Sequence, residues 1–173
     1  MSTAEKHDLK LKPISASGIA HALAKVTHYR YLNESEEAES ICRDVVATDP
    51  ANQQGLKLLG LVITDQFTGG MKDRYNEALD CFSKLTDTYE RTYYTGIAHE
   101  RRAKAQLKQG HATRSLLSGF HEAMRCFEEA EKIRPAGNDD SVLRWNRCLR
   151  LVHSLTGEPD AEEGFDVSDS APL

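Results

Sequence analysis

This 173-residue chain carries seven histidines, four cysteines and 27 acidic residues, the raw materials of metal and acid–base chemistry. Their spacing allows much less. His99-Glu100 and His121-Glu122 each begin the pattern of a zinc-peptidase helix. That pattern needs a second His four residues after the first, so that both imidazoles meet one ion from one helix face. The required places hold Ala103 and Arg125, which excludes it. His21 and His28 stand two helical turns apart on one face and could share a ligand, although surface histidines are far commoner. Cys42, Cys81, Cys126 and Cys148 form no CxxC pair. Three of them recur at matching places in helical patterns, where a free Cys packs as a small apolar residue. They could hold a metal only by converging in space. Gly69-Gly70-Met71-Lys72 lacks the spacing of a phosphate loop and the Ser or Thr that reaches magnesium, so it reads as a loop between helices. No Ser-His-Asp or Cys-His set can be picked from spacing; such sites assemble in three dimensions.

Charge is the next candidate. Arg91, Arg101, Arg102, Lys104 and Lys108 set five bases against Glu100 in one region, and Arg144, Arg147 and Arg150 add three near the end. A solvated, ion-paired face is the plain reading. A basic patch for an acidic peptide is the functional one. The formal net charge of -5 gives no case for a general nucleic-acid binder. Six acids (Glu158, Asp160, Glu162, Glu163, Asp166 and Asp169) fall in residues 157–173 with no base among them, leaving 21 acids against 22 bases elsewhere. The absence of a membrane-length apolar run or signal peptide, with unpaired cysteines, points to a reduced cytoplasmic protein. At 39% apolar and 28% charged residues, the chain suits one domain of helices with wide solvated faces.

The elements that would position these groups centre on Gln54 to Phe67. Leu56, Leu58, Leu59, Leu61, Val62 and Ile63 leave it almost no polar face. A run this apolar is buried on several sides. A buried strand is the alternative, but the length of about four turns favours a helix. Residues 1–16 read as a mobile arm. Ser17 is placed to cap a helix over Ile19 to Leu32, and Asn33 to restart one that ends at Asp49-Pro50. Beyond Gly69-Gly70, Asp73 is placed to cap the next helix. Helices over Thr92 to Gln109 and His111 to Ile133 follow, the second with a start blurred by Gly119. Asn138, Asp139 or Asp140 can cap a last helix bearing Trp145, which would lock it onto the preceding pair. Residues 157–173 read as an acidic disordered tail. The expectation is seven helices and no strand.

Three six-residue segments align without gaps: Glu37 to Cys42, Glu77 to Phe82 and Glu122 to Phe127, with Ala38, Ala78 and Ala123 in register. Each follows another helix across a short polar break. A helix-turn-helix unit at such a period is the mark of an α-solenoid. The pattern resembles the tetratricopeptide repeat (TPR) family on Tyr29, Ala38 and Pro50, then Leu59, Gly60, Ala78 and Phe82, then Ala103, Gly110, Ala123, Phe127, Ala130 and Pro135. Units two and three exceed the family's period of about 34 residues. AlaGluSerIleCysArgAsp and ThrAspGlnPhe also resemble phrasing in bacterial members. The resemblance implies an all-α fold: an α-solenoid of about three TPR-like helix-turn-helix units over residues 17–156, with the last helix as a cap.

It also implies a function. In such domains the first helix of each unit lines a concave groove that holds a peptide or helix of a partner. Alignment puts Leu23, Thr27, Arg30 and Tyr31 in that groove from the first unit. Gln54, Lys57, Leu61, Thr64 and Asp65 come from the second, Ile97, Glu100, Lys104 and Lys108 from the third, and Asn146, Leu149 and Arg150 from the last helix. The family's carboxylate-clamp variant uses Lys and Asn where this chain has Leu23 and Thr27, so a chaperone-tail reader is not implied. The expectation is a non-catalytic protein-binding adaptor for a protein or peptide partner, acidic peptides included, with no cofactor or metal and no nucleic-acid or membrane partner. The alternative is a helical metal- or ligand-binding regulator or enzyme using His and Cys residues.

Overall fold

The structure, a computed structural model, describes residues 9–68 and 72–157. The first half of the N-terminal arm, the centre of the Gly69-Gly70 loop and nearly all of the acidic tail lie outside the described residues. The described chain is all-α. After a 3-10 turn at Ala16–Gly18 come α1 (Ile19–Tyr31), α2 (Ser35–Thr48), α3 (Gln53–Asp65), α4 (Lys72–Ser83), α5 (Thr88–Lys108), α6 (Thr113–Lys132) and α7 (Asp140–Thr156). No described residue is in a strand, so the apolar run around Leu59 is the expected helix.

Several boundaries differ from the expected ones, each for a local reason. Ser15, not Ser17, accepts the Gly18 N–H at 3.1 Å and starts the first turn. Asn33 ends α1 rather than starting α2. It takes a left-handed conformation, φ 59°, and lets the Glu34 N–H reach back to the Tyr29 carbonyl at 2.9 Å. That reach closes the last helical turn, and Asn tolerates the left-handed region better than most residues. α4 already includes Lys72, so Asp73 sits in its first turn, where a carboxylate favours the helix dipole. α5 begins a turn earlier than expected because Asp87 accepts the Glu90 N–H at 2.7 Å. α6 runs straight through Gly119. No side chain caps α7; Asn138 Oδ1 accepts the Asp140 N–H at 2.9 Å in a turn just before it.

Each helix packs on the next, and α1 also reaches α3 as α3 reaches α5. Two apolar clusters result. One gathers Val26, Ala38, Cys42, Leu59, Ile63, Ala78 and Phe82 among α1 to α4. The other gathers Ile97, Phe120, Ala123, Phe127, Cys148 and Val152 among α5 to α7. Leu61 and Tyr94 pack against both. All four cysteines are free and buried, in agreement with their reading as core residues. Trp145 packs on the second cluster, and its Nε1–H donates to Glu128 at 2.8 Å.

The closest approaches are made by glycines facing rings. A methyl group on Gly60 would meet the Phe82 ring at 2.4 Å, and one on Gly96 would meet the Phe127 ring at 2.7 Å. Gly119 likewise lets α6 approach Ala103 of α5, where a Cβ would stand 3.0 Å from the alanine methyl. These small residues set the distance between paired helices.

At the outer end of α2 a charged cluster ties three elements together. Glu39 accepts from Arg74 Nη2 at 2.5 Å, from Gln66 Nε2 at 2.6 Å and from Arg43 Nη2 at 2.6 Å. Glu77 joins through Arg43 and Arg74. Burial works to raise the Glu39 pKa, but the hydrogen bonds from Arg74, Gln66 and Arg43 outweigh it and hold the group down at about 2.

Two outcomes are expected. In Gly60→Ala, helix propensity contributes a gain of up to ~1 kcal/mol. Overpacking against a ring fully buried and stacked on Tyr94 costs about 1–3 kcal/mol. The loss should win in a urea melt, and a variant as stable as the parent would show that the ring can retreat. For Glu39 the folded pKa lies below the unfolded value of 4.5, so its contribution is complete above that pH and is lost as pH falls toward about 2. Glu39→Gln should flatten the stability–pH curve over that window, measured by urea melts in steps from neutral to acid pH.

Candidate functional site

The last turns of α1 and α3 meet the second half of α5, and all three carry charge there. Arg30 Nε donates to Asp65 Oδ2 at 2.8 Å across α1 and α3. Arg101 of α5 donates to the other oxygen of Asp65, to Thr64 Oγ1 at 2.5 Å and to the Leu61 carbonyl at 3.1 Å. Arg101 thus ties α5 to the last turn of α3, where the Thr64 hydroxyl also donates to the Leu61 carbonyl at 2.7 Å. Burial draws the Arg101 pKa down, but a guanidinium keeps its proton in proteins. Around this junction lies an open cavity of about 460 Å³ lined by Arg30, Asn33, Asp65, Arg101, Lys104 and Lys108 among others. Four cations and one carboxylate line it, Lys104 being also paired to buried Glu100, so the lining carries a net positive charge.

The sixteen groove positions expected from the sequence divide among several places. Arg30, Thr64, Asp65, Lys104 and Lys108 line this cavity. Leu23 and Gln54 line a second hollow, of about 720 Å³, beside Pro50. Lys57 lines neither, being ion-paired to Glu90 at 2.7 Å and 5.9 Å from the centre of the Tyr94 ring. Tyr31 is 84% exposed and Thr27 is exposed, its hydroxyl turned back to the Leu23 carbonyl. Leu61 packs inward, while Asn146 and Leu149 are half-buried and Arg150 is exposed. Thr64, Ile97 and Glu100 are buried and support the surface from beneath.

Glu100 is the most heavily committed of these. It is fully buried, accepts a short hydrogen bond from Lys104 and lies 3.4 Å from Arg144 of α7. The partners are each about one-third exposed, so the charge is compensated from the solvent side. Its role is to join α7 to α5, not to meet a ligand.

Arg101, absent from the expected groove set, is the central cation of the cavity. The sequence held a signal for it. Gly60 and Gly96 play one role in two helices, and the same offset of 36 positions that relates them carries Asp65 onto Arg101.

A second cluster lies on the opposite flank of α5. One ligand atom each from His99, Glu122 and Cys126 come within 4.8 Å of one another. Glu122 and Cys126 are one turn apart on α6, hence on one face. His99 Nδ1 is 2.8 Å from Tyr75 Oη, and Arg102 stacks over the Tyr75 ring at 4.2 Å. Burial pulls the His99 pKa down and pushes the Cys126 thiol up. The hydrogen bond from Arg125 lowers the Glu122 pKa. Among the described residues no other trio of His, Cys, Asp and Glu converges in this way. The pairing of Glu122 with Cys126 was visible as an i, i+4 relation, but nothing in the sequence aimed His99 at it. His21 and His28 join no such cluster.

The chain matches no protein-family model, and neither a curated protein nor a solved structure shows significant similarity to it.

The buried carboxylate generates an asymmetric expectation. Glu100→Leu removes a buried charge and leaves two cations that can reach water, so stability should stay within about 1 kcal/mol of the parent. Lys104→Met with Arg144→Met strands the carboxylate and should cost about 3–5 kcal/mol. Paired urea melts check both; equal losses in the two variants would contradict it.

Proposed function

We propose that the chain is a TPR-like helical-repeat domain. Its units would be α1–α2, α3–α4 and α5–α6, closed by α7, and it serves as a non-catalytic adaptor for an acidic peptide or helix of a partner protein. Three features support the repeat: each helix packs on the next, α1 touches α3 as α3 touches α5, and a glycine faces a ring in the second and third pairs. The long second and third units are spacing variants of the family pattern. In this reading the peptide lies across the ends of α1 and α3 and the second half of α5.

The observation that carries it is the electropositive cavity, whose lining holds Arg30, Arg101, Lys104 and Lys108 against the single carboxylate of Asp65. The internal ion pairs hold Arg30 and Arg101 in place, while exposed Lys108 is available to an incoming carboxylate. Electrostatic complementarity of this kind governs partner choice and association rate. No described helix is long and apolar enough to cross a membrane. The four free, buried cysteines suit a reducing compartment such as the cytoplasm.

The test uses fluorescent acidic, neutral and basic peptides of equal length, titrated at low and high salt by anisotropy. Acidic peptides should bind best and weaken as salt rises. Lys108→Glu combined with Asn33→Asp leaves the internal ion pairs intact and keeps a residue that tolerates the left-handed position. That variant should weaken acidic-peptide binding about tenfold, or ~1.4 kcal/mol. Equal binding of all three peptides, or no loss in the variant, overturns the proposal.

A further inference from the structure

We infer that His99, Glu122 and Cys126 form a binding site for a thiophilic divalent cation such as zinc, on the flank of α5 away from the basic cavity. The donor set is mixed nitrogen, oxygen and sulfur, which suits zinc better than magnesium or calcium. Zinc bonds of about 2.0–2.3 Å place tetrahedral ligand atoms roughly 3.3–3.8 Å apart. The three donor atoms, all within 4.8 Å of one another, need only small rotamer adjustments to close on an ion.

The surroundings prepare each ligand. Burial favours neutral His99, the form that coordinates a metal. Its Nδ1 is held by Tyr75 Oη at 2.8 Å, and Tyr75 is itself buried beneath Arg102. A partner of this kind on one ring nitrogen fixes the orientation and tautomer of a ligating imidazole. Glu122 carries its charge, and its pair with Arg125 at 2.6 Å is largely exposed, so the carboxylate can turn to an ion at small cost. Cys126 is 4% exposed and its thiol is protonated at neutral pH. Binding forms a sulfur–metal bond, breaks the S–H bond and releases that proton to solvent, with no change of oxidation state.

His99 and Glu122 also line a cavity of about 400 Å³ whose wall includes Gln106 and Ser118. Three protein ligands beside a polar cavity leave a fourth position for water or a small ligand. The site also joins α5 to α6 and, through Tyr75, to α4, so an occupied site would brace three helices.

The test is a titration of the full, chelator-treated chain with cobalt(II) and with zinc. Cobalt should bind one per chain and develop the thiolate-to-cobalt charge-transfer band in the near ultraviolet, and zinc should displace it. Proton uptake by a pH indicator should show release of about one proton per zinc bound. Cys126→Ala should abolish the band, and His99→Gln should weaken binding about a hundredfold. Tyr75→Phe, which touches no metal, should weaken it about tenfold through lost orientation. Circular dichroism tests folding of each variant; should Cys126→Ala not fold, His99→Gln and Tyr75→Phe decide. Absence of the band in the parent chain, its survival in Cys126→Ala, or equal affinity in parent, His99→Gln and Tyr75→Phe overturns the inference.

Discussion

The fold depends on how closely paired helices can approach, and two glycines facing two phenylalanines set that distance. Gly60 against Phe82 and Gly96 against Phe127 leave no room for even a methyl group. Each ring then occupies the space that the missing side chain vacates, and each is fully buried. Dense packing of this kind lets apolar residues on both helices make dispersion contacts along their length. Ala38, Ala78 and Ala123 serve the same end, all of them fully buried. The two apolar clusters meet at Leu61 and Tyr94, and Tyr94 stacks on Phe82 at 5.5 Å. The ring that fills the α3–α4 gap therefore also joins the first half of the molecule to the second.

Once the helices are this close, their polar residues must find partners or carry unsatisfied groups inside. Arg30 and Asp65 in the last turns of α1 and α3, and Arg101 two turns before the end of α5, answer this with alternating sign. Thr64 and Glu100 are buried at related positions, one satisfied by Arg101 and the other by Lys104 and Arg144. Among the buried side-chain nitrogen and oxygen atoms of the described residues, only Ser141 Oγ lacks a hydrogen-bond partner. Arg30 and Arg101 therefore serve first to join helices and only second to shape the electropositive cavity.

Four consecutive residues of α5 show how one helical turn can serve unrelated tasks. His99 faces Tyr75 and the Glu122–Cys126 pair, and Glu100 faces α7. Arg101 faces the end of α3, and Arg102 covers the Tyr75 ring. Successive side chains on a helix leave about 100° apart, at 3.6 residues per turn. A central helix packed on several sides can thus direct neighbours in sequence to separate sites. The basic cavity and the His99 cluster are consequently independent in chemistry while sharing a backbone.

Much of the helical layout was legible in the sequence, because it rests on local physics. Apolar periodicity identified all seven helices of the described chain, the Ala38, Ala78 and Ala123 register fell in α2, α4 and α6, and the matching places of cysteines identified buried positions. Boundaries were less legible where a backbone conformation or side-chain cap decided them, as at Asn33 and Asp87. At the candidate sites the sequence supplied donor types and charge but not convergence. One position along a helix turns a side chain by about 100°, which separates buried Glu100 from Arg101 at the cavity. His99 lies 23 positions from Glu122, and only the packing of α5 on α6 brings imidazole, carboxylate and thiol together. Residue identity and periodicity are local properties that a chain carries by itself; proximity between helices follows from the tertiary packing of small residues against rings.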